Sequence, residues 1–140
     1  MRGKSLWIAC LTIVAAQWGC AKSGPCSGGG SEVDTRPLPA DWAAAAPIPT
    51  GAVACHSADG STDSEYDRRY ELGSSPQEGF ETWRTHLTGL GWAAGADTSS
   101  ERGHEQVFTR EGATLKVYVS RAENVQHKGW STLTFQPGPK

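Results

Sequence analysis

The 140-residue chain lacks both an excess of basic residues and a long apolar run. Lys and Arg number 13 against 15 Asp and Glu, and no basic stripe stands out, so we expect no nucleic-acid partner. The apolar run at residues 6–16 has eleven positions, whereas a membrane-spanning helix needs about 20. The length of the chain suits one small domain.

The sequence also lacks the spacings that mark metal centres, nucleotide loops and hydrolase nucleophiles. The four histidines show no HxH or HxxxH pattern, and the adjacent Cys55 and His56 would point to opposite faces of a strand. There is no GxSxG elbow, GxGxxG loop or Walker loop. Residues 59–63 have the composition of half a calcium loop without its remaining ligands. We therefore expect no catalytic residue, no metal and no cofactor.

What the chain does have is one segment with a complete set of helix signals, residues 75–92. Ser75 suits the N-cap, Glu78 stands three residues later, and Pro76 occupies the first helical position. Gly91 suits the left-handed residue that ends a helix. An apolar stripe at helical spacing predicts the buried side of this helix. The stripe consists of Phe80, Trp83, Leu87 and Leu90.

Alternating segments on both sides of this helix predict strands. Glu111-Gly112 is a two-residue turn between two of them, which puts Phe108 opposite Leu115. We predict an α+β fold of two layers, with one helix on an antiparallel sheet of about four to five strands in the order β-β-α-β-β-β. The other sheet face is expected to be polar and open to water. Arg68 is expected to lie at the sheet margin with its guanidinium group in water. The candidate strands are residues 51–56, 66–72, 106–110, 113–120 and 130–136, and residues 92–96 are a short strand or an extended entry.

The start of the chain has the organisation of a secretory signal. A basic beginning precedes the apolar run at residues 6–16, which has the length of a signal-peptide core. Gly19-Cys20 then resembles the end of the lipobox of bacterial lipoproteins, although Gln17 and Trp18 stand where that family usually has Leu and a small residue. From the residues alone, an ordinary secretory signal or a signal anchor is the alternative.

The resemblance to lipoproteins implies a signal peptide at residues 1–19, cleavage before Cys20 and lipid on its sulfur. Membrane attachment would then run through Cys20. Because Ala21 and Lys22 are not acidic, the resemblance also implies the outer membrane facing the periplasm, rather than the inner membrane.

A Gly-, Ser-, Pro- and Ala-rich stretch follows, and we interpret residues 20–46 as the lipidated cysteine and a flexible tether. Within it, residues 41–46 could form one helical turn that packs Trp42 on the domain and ends at Pro47. The α+β domain is predicted to span residues 47–136, and residues 137–140 to form a frayed tail. Residues 47–52, Pro-Ile-Pro-Thr-Gly-Ala, resemble the beginning of the domain in small bacterial envelope lipoproteins, which implies no particular activity.

Two cysteines remain if Cys10 leaves with the signal and Cys20 carries lipid. In an oxidising compartment such thiols tend to pair, so we predict a Cys26–Cys55 disulfide. The alternative is a buried free Cys55 and an exposed Cys26 in the tether.

Two aromatic residues are candidates for contact with a partner. Trp130 has no evident inward neighbour, and Tyr118 faces outward by strand alternation. The sequence therefore favours a membrane-anchored envelope lipoprotein whose non-catalytic domain binds or scaffolds a protein or cell-wall partner. An envelope hydrolase or enzyme-accessory subunit is the alternative.

Overall fold

Seven strands and two helices make up the part of the chain that the computed structural model describes, residues 24–26, 30–57, 64–72, 75–121 and 130–139. The fold is α+β, with all strands in one sheet. Among the described residues, neither helix is long and apolar enough to cross a bilayer. In chain order the elements are β1 (Ser31–Val33), α1 (Ala40–Ala45), β2 (Val53–Ser57), β3 (Asp67–Glu71), α2 (Pro76–Gly89), β4 (Ala93–Asp97), β5 (Gly103–Arg110), β6 (Ala113–Ser120) and β7 (Trp130–Gln136).

The sheet has the strand order β1-β2-β3-β7-β6-β5-β4, and every neighbouring pair is antiparallel. It is larger than the predicted four to five strands. The additional strand β1 has only three residues and no alternating pattern, so its pairing with β2 decides its conformation. The observed order also places helix α1 between β1 and β2. The predicted order of elements has no helix there, although the sequence left open one helical turn at residues 41–46 with Trp42 packing on the domain.

Helix α2 forms as its sequence signals predict. The Ser75 hydroxyl oxygen accepts a hydrogen bond of 3.2 Å from the Glu78 backbone N–H. Gly91 has a φ of 85°, and the following Trp92 N–H returns to the Leu87 carbonyl at 3.0 Å. The apolar stripe packs into the core over strands β4 to β7, with three of its members buried and Leu90 partly buried.

The β5–β6 hairpin also has the predicted register, with Phe108 opposite Leu115. Its two turn residues, Glu111 and Gly112, have φ of 51° and 80°. Two positive φ values match the backbone of a type I′ turn, whose twist suits a two-residue hairpin. The register turns the alternate side chains of β6, beginning with Leu115, towards α2 and the core.

The prediction of a flexible tether does not hold for residues 31–46. Strand β1 pairs with β2, and α1 places Trp42 in the core with no exposed surface. The Trp42 ring stacks on Phe135 at 5.5 Å between centroids, and the Trp92 indole N–H donates to the Ala45 carbonyl at 3.0 Å. The Ala- and Pro-rich composition suggested a spacer, but burial of one tryptophan orders the segment.

The position predicted for Arg68 is wrong, because its side chain is only 3% exposed and its head is not in water. Nη1 of Arg68 donates to Oδ2 of Asp34 at 2.8 Å, and Nη2 donates to the Pro37 carbonyl at 3.1 Å. The Arg36 and Arg68 guanidinium groups, acting against the effect of burial, hold the pKa of the Asp34 carboxyl well below its usual range. The partner of Arg68 lies in the segment assigned to the tether, so the strand pattern alone gave no sign of it.

We expect the Asp34–Arg68 pair to be strongly non-additive on mutation. Asp34→Asn leaves the buried Arg68 charge without its carboxylate, and Arg68→Met leaves the Asp34 carboxylate with Arg36 alone. Loss of a buried partner should lower the free energy of unfolding by about 3–5 kcal/mol for Asp34→Asn, and by less for Arg68→Met. The double variant should lose much less than the sum of the two single losses. Urea denaturation of all four proteins at pH 7 measures this, and additive losses would mean that the pair is not coupled.

Candidate functional site

One face of the sheet carries no helix, and we call it the outer face. Strand alternation directs the buried residues Tyr70, Val117 and Ser131 to the opposite, helix-covered side. Cys55 and Gly103 on the outer side are buried under neighbouring groups, whereas the charged, hydroxyl and aromatic residues of the outer face that are discussed below are all exposed or half-buried. They agree with the predicted open, polar face. These residues are Arg69, Glu71, Glu105, Lys116, Tyr118, Trp130 and Thr132.

Trp130 lies on the outer face at the start of β7, opposite Glu71 of β3. The guanidinium carbon of Arg69 lies 5.7 Å from the centre of the Trp130 ring, within the range of a cation–π contact. Nη2 of Arg69 also donates to the Ser57 hydroxyl at 3.3 Å. The tryptophan ring and the cation therefore hold each other in place on the surface.

Tyr118 is held in place by a different contact. Its hydroxyl donates to the Arg102 carbonyl at 3.1 Å, and its ring lies against Gly103 of β5. A Cβ at Gly103 would come within 2.6 Å of the ring, so any other residue there would displace the ring from its present position. Covering a strand glycine with a diagonal aromatic ring stabilises the pair of strands.

The two predicted contact residues come together on neighbouring strands. Thr132 lies opposite Tyr118 on one side and opposite Arg69 on the other, and Trp130 is two residues before Thr132. Ordered aromatic rings beside charged and hydroxyl groups form a surface that can bind a partner with little loss of side-chain entropy. Lys116, with Glu71 and Glu105, gives the surrounding surface both signs of charge.

The predicted Cys26–Cys55 disulfide is present, with a Cα–Cα distance of 5.5 Å. Cys55 lies opposite Arg69 in the β2–β3 ladder and thus belongs to the outer side of the sheet. The chain that leads to Cys20 therefore leaves the domain beside the outer face. Cys20 itself lies outside the described residues.

Among the described residues, no three His, Cys, Asp or Glu side chains come together as metal ligands. A serine and a histidine do meet near the sheet edge, with Ser99 Oγ 3.3 Å from His104 Nδ1. The neighbouring Asp97 carboxylate accepts from the Ser99 N–H at 2.8 Å and has no hydrogen bond to the imidazole in the described structure. This arrangement differs from a Ser-His-Asp triad, in which the acid orients the histidine.

A cleft of about 360 Å³ opens between α1, the hairpin turn and the carboxyl-terminal tail. Asp41 at its rim accepts from the Tyr66 hydroxyl at 3.3 Å, and Arg110 donates to the Ala45 carbonyl at 3.3 Å. The tail, predicted to be frayed, packs on the turn as far as Pro139, where a Cβ at Gly138 would meet the Glu111 carbonyl oxygen at 2.8 Å. The polar groups of the cleft thus serve largely to join α1 and the tail to the sheet.

Sequence reasoning missed the two residues that fix the outer-face aromatics, Arg69 and Gly103. The alternation of β3 already placed Arg69 outward, but its contact with Trp130 depends on the pairing of β3 with β7. Gly103 lay outside the candidate strands predicted from the sequence. A glycine next to a polar alternating segment was the available signal for a strand position that an aromatic ring covers.

Comparisons with protein-family models, curated proteins and solved structures find no match to this chain. No activity is therefore carried over from a relative. The outer face, the disulfide and the amino-terminal sequence are the observations on which a function can be proposed.

The buried His104 should make the domain less stable in mild acid. Burial, followed by the positive charge of Arg121, lowers the pKa of His104, whose ring stacks on Phe80 at 5.0 Å. The unfolded chain then binds a proton more readily, so stability falls as the pH drops below about 6.5. His104→Gln should remove this part of the pH dependence in urea titrations at pH 7.5 and 5.5. An equal fall in both proteins would contradict the assignment.

Proposed function

We propose that this chain is a lipid-anchored binding domain of a bacterial cell envelope, which presents its outer face to a protein or cell-wall partner. The observation that carries the proposal is the open sheet face on which Trp130 and Tyr118 are held in place by Arg69 and Gly103. Aromatic rings fixed before binding are typical of recognition surfaces, because their ordering costs little when the partner arrives.

The Cys26–Cys55 disulfide supports an extracytoplasmic location, since such bonds persist in oxidising compartments. The order of basic residues, apolar run and Gly19-Cys20 supports export and lipidation. Two or three acyl chains on the amino-terminal cysteine would give stable anchoring, whereas a single chain gives marginal binding. With Ala21 and Lys22 after it, the outer membrane facing the periplasm is the proposed location.

The disulfide also limits how far the domain can stand from its anchor. Cys26 follows Cys20 by six residues, so a fully extended connection spans at most about 22 Å at about 3.3–3.6 Å per residue. The corner of the sheet that carries Cys55 therefore lies close to the bilayer surface. We propose that the outer face meets a partner in the membrane or in the layer immediately next to it.

The alternative of an envelope hydrolase has one observation in its favour, the contact between Ser99 and His104. Lowering of the His104 pKa would keep the imidazole neutral near pH 7, as a general base requires. Asp97, however, contacts the serine and leaves the imidazole without an orienting acid in the described structure. Binding at the outer face is thus the better-supported function.

Cys20→Ser should release the protein from the membrane or leave it as uncut precursor, because the thiol that accepts the lipid is gone. Cys10→Ser, in the apolar run of the signal, is the matched control and should leave anchoring unchanged. Membrane fractionation and the mass of the mature protein provide the readout. A Cys20→Ser protein that is processed and still sediments with membranes would exclude Cys20 as the anchor.

A photo-reactive benzoylphenylalanine in place of the exposed Lys116 should form adducts in intact cells, because it stands on the outer face beside Tyr118 and Thr132. The control position is Thr82, which is exposed on α2 at the other side of the domain. Adducts that a protease degrades indicate a protein partner, and adducts that a muramidase releases indicate the cell wall. Adducts from Thr82 alone, or from neither position, would contradict binding at the outer face.

A further inference from the structure

The Tyr118 ring on the outer face has one side on the sheet and the other directed away from it. The Gly103 backbone lies against the ring, and the hydroxyl donates to the Arg102 carbonyl at 3.1 Å, so two contacts fix the ring. The residue is half-buried, which leaves part of the ring accessible to a ligand. The face of an aromatic ring is electronegative and attracts weakly positive C–H groups. Tyr118 is therefore a fixed platform for a flat ligand that carries C–H groups on its faces.

Trp130 lies in the same row of the sheet as this ring. Gly103 of β5 pairs with Ser120 of β6, and the β6–β7 register brings Trp130 opposite Ser120. The Tyr118 ring lies over Gly103, so the position of Trp130 is two strands farther along the row. At about 4.8 Å between neighbouring strands, these two backbone positions lie about 10 Å apart. The two aromatic groups thus stand in a line across the sheet, at a separation on the scale of two linked sugar rings.

The surface beside the two rings is polar. The next row holds the carboxylate of Glu105 and the hydroxyl of Thr132, which lie on either side of Tyr118. Lys116 and Thr134, which pair with each other, belong to the row after that. These groups can accept and donate hydrogen bonds, and they include one charge of each sign. They suit a ligand with many hydroxyl groups and no large net charge.

A protein partner fits this surface less well than a sugar chain does. The centre of a protein interface is poor in charged residues and rich in apolar contacts. Among the described residues, the exposed large apolar side chains are Val33 and Val107. They lie on β1 and β5, five strand spacings apart, so they form no common apolar centre. A sugar chain has the complementary character, because each ring presents C–H groups on its faces and hydroxyl groups at its edge.

We propose that the outer face binds the glycan strand of the cell wall, a linear chain of β-linked N-acetylated sugars. The inference rests on the proposed function and narrows its partner to a polysaccharide. One sugar ring stacks on Tyr118, and the chain crosses β5, β6 and β7 so that a later ring meets Trp130. Thr132, Lys116 and Glu105 exchange hydrogen bonds with the hydroxyl and acetamide groups of the sugars. The cell wall lies next to the membrane, where the short lipid-anchored connection would hold the domain.

The test is an NMR titration of the ¹⁵N-labelled full-length protein in detergent with tetra-N-acetylchitotetraose, a straight β-linked sugar tetramer. We expect saturable shifts of outer-face amides and of the Trp130 indole N–H, at a Kd of about 1 mM or below. N-acetylglucosamine alone should bind about tenfold more weakly, because one sugar cannot meet both rings. Maltotetraose, whose α-linkages curve the chain, should be weaker by a similar factor.

Gly103→Ala displaces the Tyr118 ring without removing it, so it should weaken binding of the tetramer about tenfold. Tyr118→Ala removes the ring and should have the same effect. Tyr118→Phe keeps the ring and loses only the hydrogen bond of its hydroxyl, so it should bind within about threefold of the unmodified protein. Thr109→Ala, exposed on the outer face of β5 but distant from this row, is the matched control and should leave the affinity unchanged.

The absence of saturable shifts or equal binding of the monomer and the tetramer would overturn the glycan proposal. Unchanged binding by both Gly103→Ala and Tyr118→Ala would overturn it equally. If the tetramer does not bind but the photo-reactive group at Lys116 captures a protein, the glycan proposal fails and the binding function of the outer face stands. If the tetramer does not bind and Lys116 forms no adduct in cells, both are contradicted.

Discussion

The buried ion pair between Arg68 and Asp34 joins the amino-terminal segment to the sheet, and much of the structure depends on it. Both side chains are almost fully enclosed, so the Arg68 charge depends on the Asp34 carboxylate, which Arg36 also contacts at 2.6 Å. The pair fixes the chain just before α1, which in turn brings Trp42 onto Phe135. With the Cys26–Cys55 bond on the opposite side of β2, the segment is held on both faces of the sheet margin.

This arrangement explains why one face of the sheet stays open. Helix α2 and the segment around α1 both pack on the inner face, where Trp42 and Trp83 share one core. The outer face then has no layer above it in the described structure, and its larger side chains are fixed by their neighbours within the sheet. Arg69 with Trp130, and Gly103 with Tyr118, keep the surface ordered without a covering helix. An ordered open surface is what a binding domain requires.

The sequence by itself determined the helix α2, the β5–β6 hairpin and which side of each is buried, because these features depend on residues that are close in the sequence. Ser75, Pro76 and Gly91 determined the limits of α2, and Glu111-Gly112 determined the β5–β6 register. The outward position of Tyr118 followed from strand alternation, and that of Trp130 was inferred from its lack of an inward neighbour. Only the tertiary structure decided that Arg68 pairs with Asp34, that β1 pairs with β2, and that Gln106 Oε1 has no hydrogen-bond donor among the described residues. Each of these depends on contacts between segments that are distant in the sequence. Such contacts form through burial and strand pairing, and they leave no periodic pattern of residues in the sequence.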